Sequence, residues 1–200
     1  MASNPSYYWD ACLFYEVLGD EPVSPTKKAG VQQILESNKG KENVIATSVI
    51  THLEVIPSKL EAKKPGAAKQ YLGMFDAVHF VEVEINRNIL LRASEIREFY
   101  FRPADPSKGS PQKVMDTADA IHLATATIYG ATEFHTRDND EKGSKIPLVS
   151  LYNWSGIDKV CGKYPLTIIS PEAAQGAFDL DTRPQAQGVG AQPTAGPAPA

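Results

Sequence analysis

The stretch DTADAIHLATATIYGATEFHTRDND, residues 116–140, contains the two features from which the fold of the chain is predicted. Its first part, Asp116–Gly130, is rich in alanine, acidic at its start and closed by a glycine, which is typical of an α-helix. Its second part, Thr132–Thr136, predicts a short strand, followed by Asp and Asn residues typical of a turn. A helix that leads into a strand is one half of the repeating unit of an α/β fold.

Outward from this stretch, strands and helices are predicted to alternate. Short apolar runs predict strands at 7–9, 43–47, 78–83, 147–151 and 166–170, and helical periodicity appears at 11–18, 30–37, 48–56 and 85–101. We expect Ser48 to cap the helix over 48–56, Pro57 to bend or restart it, and 103–113 to be a proline-rich loop. This alternation favours the α/β class, as a three-layer α/β/α sandwich with a central parallel sheet.

The composition indicates an ordinary soluble protein and excludes several functional classes. Its 200 residues are 42% hydrophobic and 22% charged, which suits one domain with a packed core. A net charge of −4 argues against a basic coat for duplex nucleic acid. No apolar run reaches the length of a membrane span, and the N-terminus has no basic region of a signal peptide, so we expect a cytoplasmic protein. The cysteines, Cys12 and Cys161, lack the spacing of a zinc site or a disulfide scaffold.

The C-terminal part of the chain differs in composition from the rest. Residues 183–200, RPQAQGVGAQPTAGPAPA, consist mainly of Pro, Gly, Ala and Gln and contain no aromatic residue. Such a segment has too little apolar surface to offset the entropy lost on ordering, so we predict a disordered tail. The folded domain is expected to span residues 5–180.

Four carboxylates are predicted to meet at one edge of the sheet. Asp10 and Asp138 follow predicted strands, Glu54 lies in the helix after the second strand, and Asp119 lies in the first turn of the alanine-rich helix. Ligands bind at the carboxyl ends of parallel strands, so these positions are candidates for a site. Each residue taken alone also has a structural explanation: Asp10 as a helix cap, Glu54 on a helix edge, Asp119 in a capping pair with Asp116, and Asp138 in a turn.

A cluster of four carboxylates needs a cation, because like charges raise one another's pKa values. Oxygen ligands without a group of His or Cys residues favour Mg²⁺ or Mn²⁺ over zinc. A divalent ion in such a cluster activates water and offsets the charge of a phosphate, which suits the hydrolysis of phosphodiesters. We therefore predict that Asp10, Glu54, Asp119 and Asp138 are both metal ligands and catalytic residues.

The segments WDACLFYEVL, ATSVITHLEVI, TADAIHLATA and FHTRDND, in this order, resemble the PIN domain family, the metal-dependent ribonuclease fold of VapC-type toxins. The resemblance spans about residues 6–150, and its most specific part is Asp119–Ala126 together with Thr136–Asp138. It implies a PIN-like, Rossmann-like fold and a Mg²⁺-dependent endoribonuclease that uses the same four acids, with Asp140 as the alternative to Asp138. It also implies an RNA substrate, a homodimer and a cognate antitoxin, if the protein is the toxin of a type II toxin–antitoxin pair.

Other polar residues leave alternatives open. His122, one turn from Asp119, is either a general base or, as we favour, a packing residue. Ser48 and Thr136 are expected to orient carboxylates or a metal-bound water rather than to act as nucleophiles. Two basic sets could contact RNA or simply form a solvated face: Lys59, Lys63, Lys64 and Lys69, and Arg87, Arg92, Arg97 and Arg102. Two other functions are considered: a catalytically inactive PIN module that binds RNA or a protein, and a phosphatase. The phosphatase is disfavoured because its motif would need a second Asp at position 12, where this chain has Cys12.

Overall fold

A parallel sheet forms the centre of the protein. The computed structural model describes residues 4–19, 22–77, 80–139 and 143–173. Within them lie the strands β1 (Ser6–Trp9), β2 (Val44–Ser48), β3 (Phe80–Val83), β4 (Glu133–His135) and β5 (Thr167–Ile169). Their order across the sheet is β3-β2-β1-β4-β5, and every pairing is parallel. The predicted α/β class with a central parallel sheet is confirmed.

Helices cover both faces of this sheet. They are α1 (Ala11–Gly19), α2 (Pro25–Lys39), α3 (Thr51–Glu54), α4 (Pro57–Lys63), α5 (Ala67–Met74), α6 (Arg87–Tyr100), α7 (Thr117–Tyr129) and α8 (Leu151–Ser155). Successive strand residues point to opposite faces, so Tyr8 packs in the core beneath α6 and α7, and Trp9 packs in the core beneath α1, α4 and α5. Among the described residues, no helix has both the length and the apolar character to cross a membrane.

The structure corrects two of the predicted elements. No strand forms at 147–151. Its side chains Leu148 and Leu151 are buried, but the Leu148 N–H donates to the carboxylate of Asp138, and Leu151 begins α8. Ser48 is not a helix cap, because it continues β2 by pairing with Val83. The helix begins only at Thr51, and Pro57 restarts the chain as α4, as predicted.

The last described residues pack against α2. The N–H of Ala173 donates to the carbonyl of Thr26 at 2.9 Å, and a Cβ placed on Gly30 would lie 2.7 Å from the backbone of Glu172. The glycine therefore permits a close approach of the chain to the middle of a helix. The predicted tail, 183–200, and the alternative acid Asp140 lie outside the described residues.

Candidate active site

Asp10 lies at the carboxyl end of β1, where the chain turns into α1. Its Oδ1 accepts a hydrogen bond from the Ala11 N–H at 2.7 Å, and its Oδ2 accepts one from the Thr136 hydroxyl at 2.6 Å. Asp10 is buried, so these donors replace much of the water that a carboxylate would otherwise bind. The Asp10 carboxylate is thereby fixed at the edge of the sheet, next to the segments that follow β2 and β4.

Glu54 approaches Asp10 through His122. The short helix α3, which follows β2, ends at Glu54. Oε2 of Glu54 lies 2.5 Å from Nε2 of His122 on α7. The same nitrogen is 4.0 Å from Oδ1 of Asp10, and the other ring nitrogen is 2.8 Å from the Tyr8 hydroxyl. One ligand atom from each of Asp10, Glu54 and His122 lies within 4.8 Å of the others, a spacing that a metal ion could bridge.

His122 is more than a packing residue. Its side chain is fully buried, as the packing interpretation requires, but both ring nitrogens contact polar groups. Burial disfavours the charged imidazolium, yet the hydrogen bond to Glu54 and the charges of Asp10 and Asp119 outweigh it and raise the pKa of His122. The helical spacing from Asp119 was visible in the sequence, whereas the contact with Glu54 joins residues far apart in the chain.

Asp119 and Asp138 share a lysine. Nζ of Lys145 is 3.0 Å from Oδ1 of Asp138 and 3.9 Å from Oδ2 of Asp119. Burial raises the pKa of Asp119 to about 7, and although Lys145 opposes this effect, Asp10 and Asp138 add to it. Lys145 is itself partly buried, but the two carboxylates raise its pKa above the usual value. Lys145 was not among the residues singled out from the sequence.

Thr136 connects Asp10 with Asp138. Its hydroxyl donates to Asp10 and accepts a hydrogen bond from the Asp138 N–H at 3.0 Å. Through the hydrogen bond to Asp10, the fully buried Thr136 orients a carboxylate, as predicted. The other expected orienting residue, Ser48, instead accepts a long hydrogen bond from the Ile50 N–H.

Three bridges thus connect the four predicted acids. His122 contacts Asp10 and Glu54, Thr136 contacts Asp10 and the backbone of Asp138, and Lys145 contacts Asp138 and Asp119. The capping role belongs to Asp116, whose carboxylate accepts from the Ala118 N–H at 2.8 Å, while Asp119 faces the cluster. Within the described residues, the buried Oδ2 of Asp119 has no hydrogen-bond partner, an arrangement that a bound cation would satisfy.

Several basic residues considered for RNA contact are used within the protein. Arg97 donates to the carbonyl of Met115, Arg102 donates to the carbonyls of Phe99 and Phe101, and Arg92 stacks over the ring of Tyr164. Lys59 lies over the ring of Tyr15. These contacts stabilise helix ends and side-chain packing, so they weaken the assignment of the α6 arginines to a substrate surface.

The chain is similar to a known family in its sequence and to known proteins in its fold. The family model described as "PIN domain" matches residues 7–143. The fold is similar to VapBC2 from Rickettsia felis, in a crystal structure with a DNA fragment from its promoter, with a TM-score of 0.52 and 15% identity over 84% of this chain and 99% of that one. No curated protein sequence matches the chain.

Two further solved structures show weaker similarity. VapC20 from Mycobacterium tuberculosis, a toxin that cleaves the sarcin–ricin loop, has a TM-score of 0.46 and 12% identity over 64% of this chain and 86% of that one. A toxin–antitoxin complex from Klebsiella pneumoniae has a TM-score of 0.42 and 20% identity over 70% of this chain and 95% of that one.

Proposed function

The chain belongs to the PIN domain family, and from this we propose that it is a metal-dependent endoribonuclease with Asp10, Glu54, Asp119 and Asp138 as its catalytic residues. The observation that carries the proposal is the set of bridges through His122, Thr136 and Lys145, which connects acids from four separate segments at the carboxyl edge of the sheet. Helix caps and turn residues that act independently would not share hydrogen-bond and ion-pair partners.

The donor set fits a divalent ion such as Mg²⁺ or Mn²⁺. Asp10 and Glu54 would hold the ion, with His122 beside them and Asp119 and Asp138 completing the cluster. When bound there, the ion would activate water and offset the charge that develops on a phosphodiester. Thr136 fixes the orientation of the Asp10 carboxylate, and His122 fixes that of Glu54, so neither acid has to reorganise when substrate arrives.

We further propose that the protein acts as the toxin of a type II toxin–antitoxin pair. Support comes from the shared fold with VapBC2 of Rickettsia felis, a similarity that covers nearly all of that chain. A small antitoxin encoded next to this protein would be its partner, and co-expression followed by purification of a stable complex would test this part of the proposal.

Asp119→Asn tests the catalytic assignment, with Asp116→Asn as a matched control at the same helix end. The first substitution removes a charge from the acidic cluster, so cleavage of single-stranded RNA with Mg²⁺ or Mn²⁺ should fall by at least ~100-fold while RNA binding is kept or strengthened. The second keeps an N-cap, because Asn caps about as well as Asp, and should retain activity.

Melting curves would show whether both variants remain folded. Cleavage by Asp119→Asn at the wild-type rate would contradict its role as a catalytic residue. A wild-type protein that binds RNA but does not cleave it with either ion would instead favour an inactive binding module.

A further inference from the structure

Lys145 lies inside the acidic cluster, on the loop between β4 and α8. Its ammonium faces the carboxylates of Asp138 and Asp119, at 3.0 and 3.9 Å. The other two acids, Asp10 and Glu54, meet at the imidazole of His122 instead. The cluster therefore has two halves, and one of them already contains a fixed positive charge.

The backbone on both sides of Lys145 is anchored. The carbonyl of the preceding residue, Ser144, accepts a hydrogen bond from the Val114 N–H at 3.1 Å. On the other side, the N–H groups of Leu148 and Val149 donate to the side chain and the carbonyl of Asp138, at 3.2 and 2.9 Å. Ile146, directly after Lys145, is fully buried. A loop attached to one of the acids thus presents Lys145 to both of them, with the lysine side chain still 40% exposed.

The charges explain what such a lysine would do. Two carboxylates that face each other in a largely buried site repel each other unless a cation lies between them. A second divalent ion is one solution in phosphodiester hydrolases, where paired ions stand about 3.5–4 Å apart. An ammonium within reach of both carboxylates is another, and it remains in place when no metal is bound.

We propose that Lys145 takes the place of a second divalent ion, so that this site binds one ion, at Asp10 and Glu54, and completes its positive charge with the lysine. This inference rests on the proposed metal-dependent function and deepens it. Asp119 and Asp138 then serve mainly to hold the Lys145 ammonium at the edge of the ion site, where an incoming phosphate would meet it.

Titration calorimetry with MnCl₂ tests the proposal directly, without a substrate. The wild-type protein should bind one Mn²⁺. Lys145→Met leaves Asp119 and Asp138 without a cation, so the variant should bind a second Mn²⁺, and its melting temperature should rise more on adding Mn²⁺ than that of the wild type. Lys145→Arg keeps the charge and should bind one ion.

The matched control is Lys163→Met. Lys163 is also paired with a carboxylate, Glu95, at 2.7 Å, but this pair joins α6 to the segment before β5 and is separate from the acidic cluster. Its removal changes the net charge by the same amount and should leave the number of bound ions at one. Asp138→Asn gives a second test that does not depend on the folding of Lys145→Met: it should bind Mn²⁺ with nearly wild-type affinity, whereas Asp10→Asn should lose at least about tenfold.

Other outcomes would overturn the proposal. Two Mn²⁺ ions per wild-type chain would show that Lys145 does not exclude the second. A Lys145→Met protein that melts lower but still binds one ion would show that the lysine is only structural. If the folded wild type binds no Mn²⁺ at all, both this inference and the proposed metal-dependent function are wrong. If the wild type binds one ion that is lost in Asp10→Asn and unaffected by Lys145→Met, only this inference is wrong.

Discussion

The Asp119 carboxyl combines burial, a missing hydrogen-bond partner and nearby like charges. Its pKa of about 7 means that, in the metal-free protein at neutral pH, a large fraction of Asp119 carries a proton. A divalent ion at the neighbouring Asp10 and Glu54 would favour the loss of that proton, because a nearby positive charge lowers the pKa of a carboxyl group. The geometry of this one residue therefore connects protonation, folding and metal binding.

A dependence of stability on pH follows from this shift. The pKa of Asp119 is about 7 in the folded protein against 3.8 for an unperturbed Asp, so the folded state binds the proton more tightly than the unfolded state. Its contribution to the free energy of unfolding is therefore largest at low pH and is lost as pH rises toward 7. Urea denaturation in chelator should show this decline in the wild type and a flatter profile in Asp119→Asn.

Asp116→Asn provides the comparison, because Asp116 is an exposed cap three residues away. It should keep the wild-type slope between pH 4 and 7. A profile for Asp119→Asn as steep as that of the wild type would mean that another group is responsible.

The four acids were candidates from sequence because Asp10 and Asp138 follow strands, Glu54 and Asp119 lie in helices, and the carboxyl ends of parallel strands meet at one edge of a sheet. The roles of His122 and Lys145 were not. His122 lies among apolar and small residues of α7, and only the folded chain brings Glu54 to it. Lys145 depends on a loop whose shape is set by hydrogen bonds to the Asp138 backbone, and no local pattern encodes such a contact.

At the scale of elements, α2 has a glycine in its middle for a packing reason. Gly30 is buried, and the backbone of Glu172 crosses it so closely that a methyl group would lie at 2.7 Å. Gly73 in α5 is different, since an added Cβ there meets nothing within 4 Å. The two glycines have the same helix propensity and opposite surroundings.

We expect opposite effects from the same substitution at these two positions. Gly73→Ala should stabilise the protein by about 0.5–1 kcal/mol, because alanine loses less backbone entropy in a helix. Gly30→Ala gains the same entropy but must displace the backbone at Glu172, so it should destabilise by roughly 1–3 kcal/mol. Chemical denaturation of both variants measures the difference, and equal stabilisation by both would contradict the close packing of residues 170–173 on α2.

The strand that was wrongly predicted at 147–151 shows the limit of periodicity as evidence. The apolar run at 147–151 resembled a strand, but burying Leu148 and Leu151 does not require pairing, and β5 lies beside β4 instead. Periodicity records which side chains are buried, and it does not record which backbone groups pair. The long helices α6 and α7 were predicted closely because their apolar stripes persist over several turns.

At the scale of the whole molecule, Arg137 connects the region of the site with the segment that follows β5. It directly precedes Asp138, and its guanidinium makes a bidentate ion pair with Glu16 of α1, at 2.6 and 3.0 Å. It also donates to the Ser170 hydroxyl at 2.6 Å and to the Pro171 carbonyl at 2.8 Å. Both charged side chains are largely buried, so each of these acceptors matters for the pair.

Two truncations separate this segment from the predicted tail. Ending the chain after Ile169 removes Ser170 and Pro171, leaves the buried Arg137 guanidinium short of two acceptors, and should lower the melting temperature by about 5 °C or more. Ending it after Thr182 removes only residues 183–200, whose composition offers little apolar surface to bury, and should leave both the melting temperature and Mn²⁺ binding unchanged.

Differential scanning calorimetry of the two truncated chains beside the full one measures both effects on the melting temperature. A loss of several degrees in the longer truncated chain would show that the tail docks on the domain, and an unchanged shorter chain would show that the contacts of Arg137 with Ser170 and Pro171 contribute little to stability.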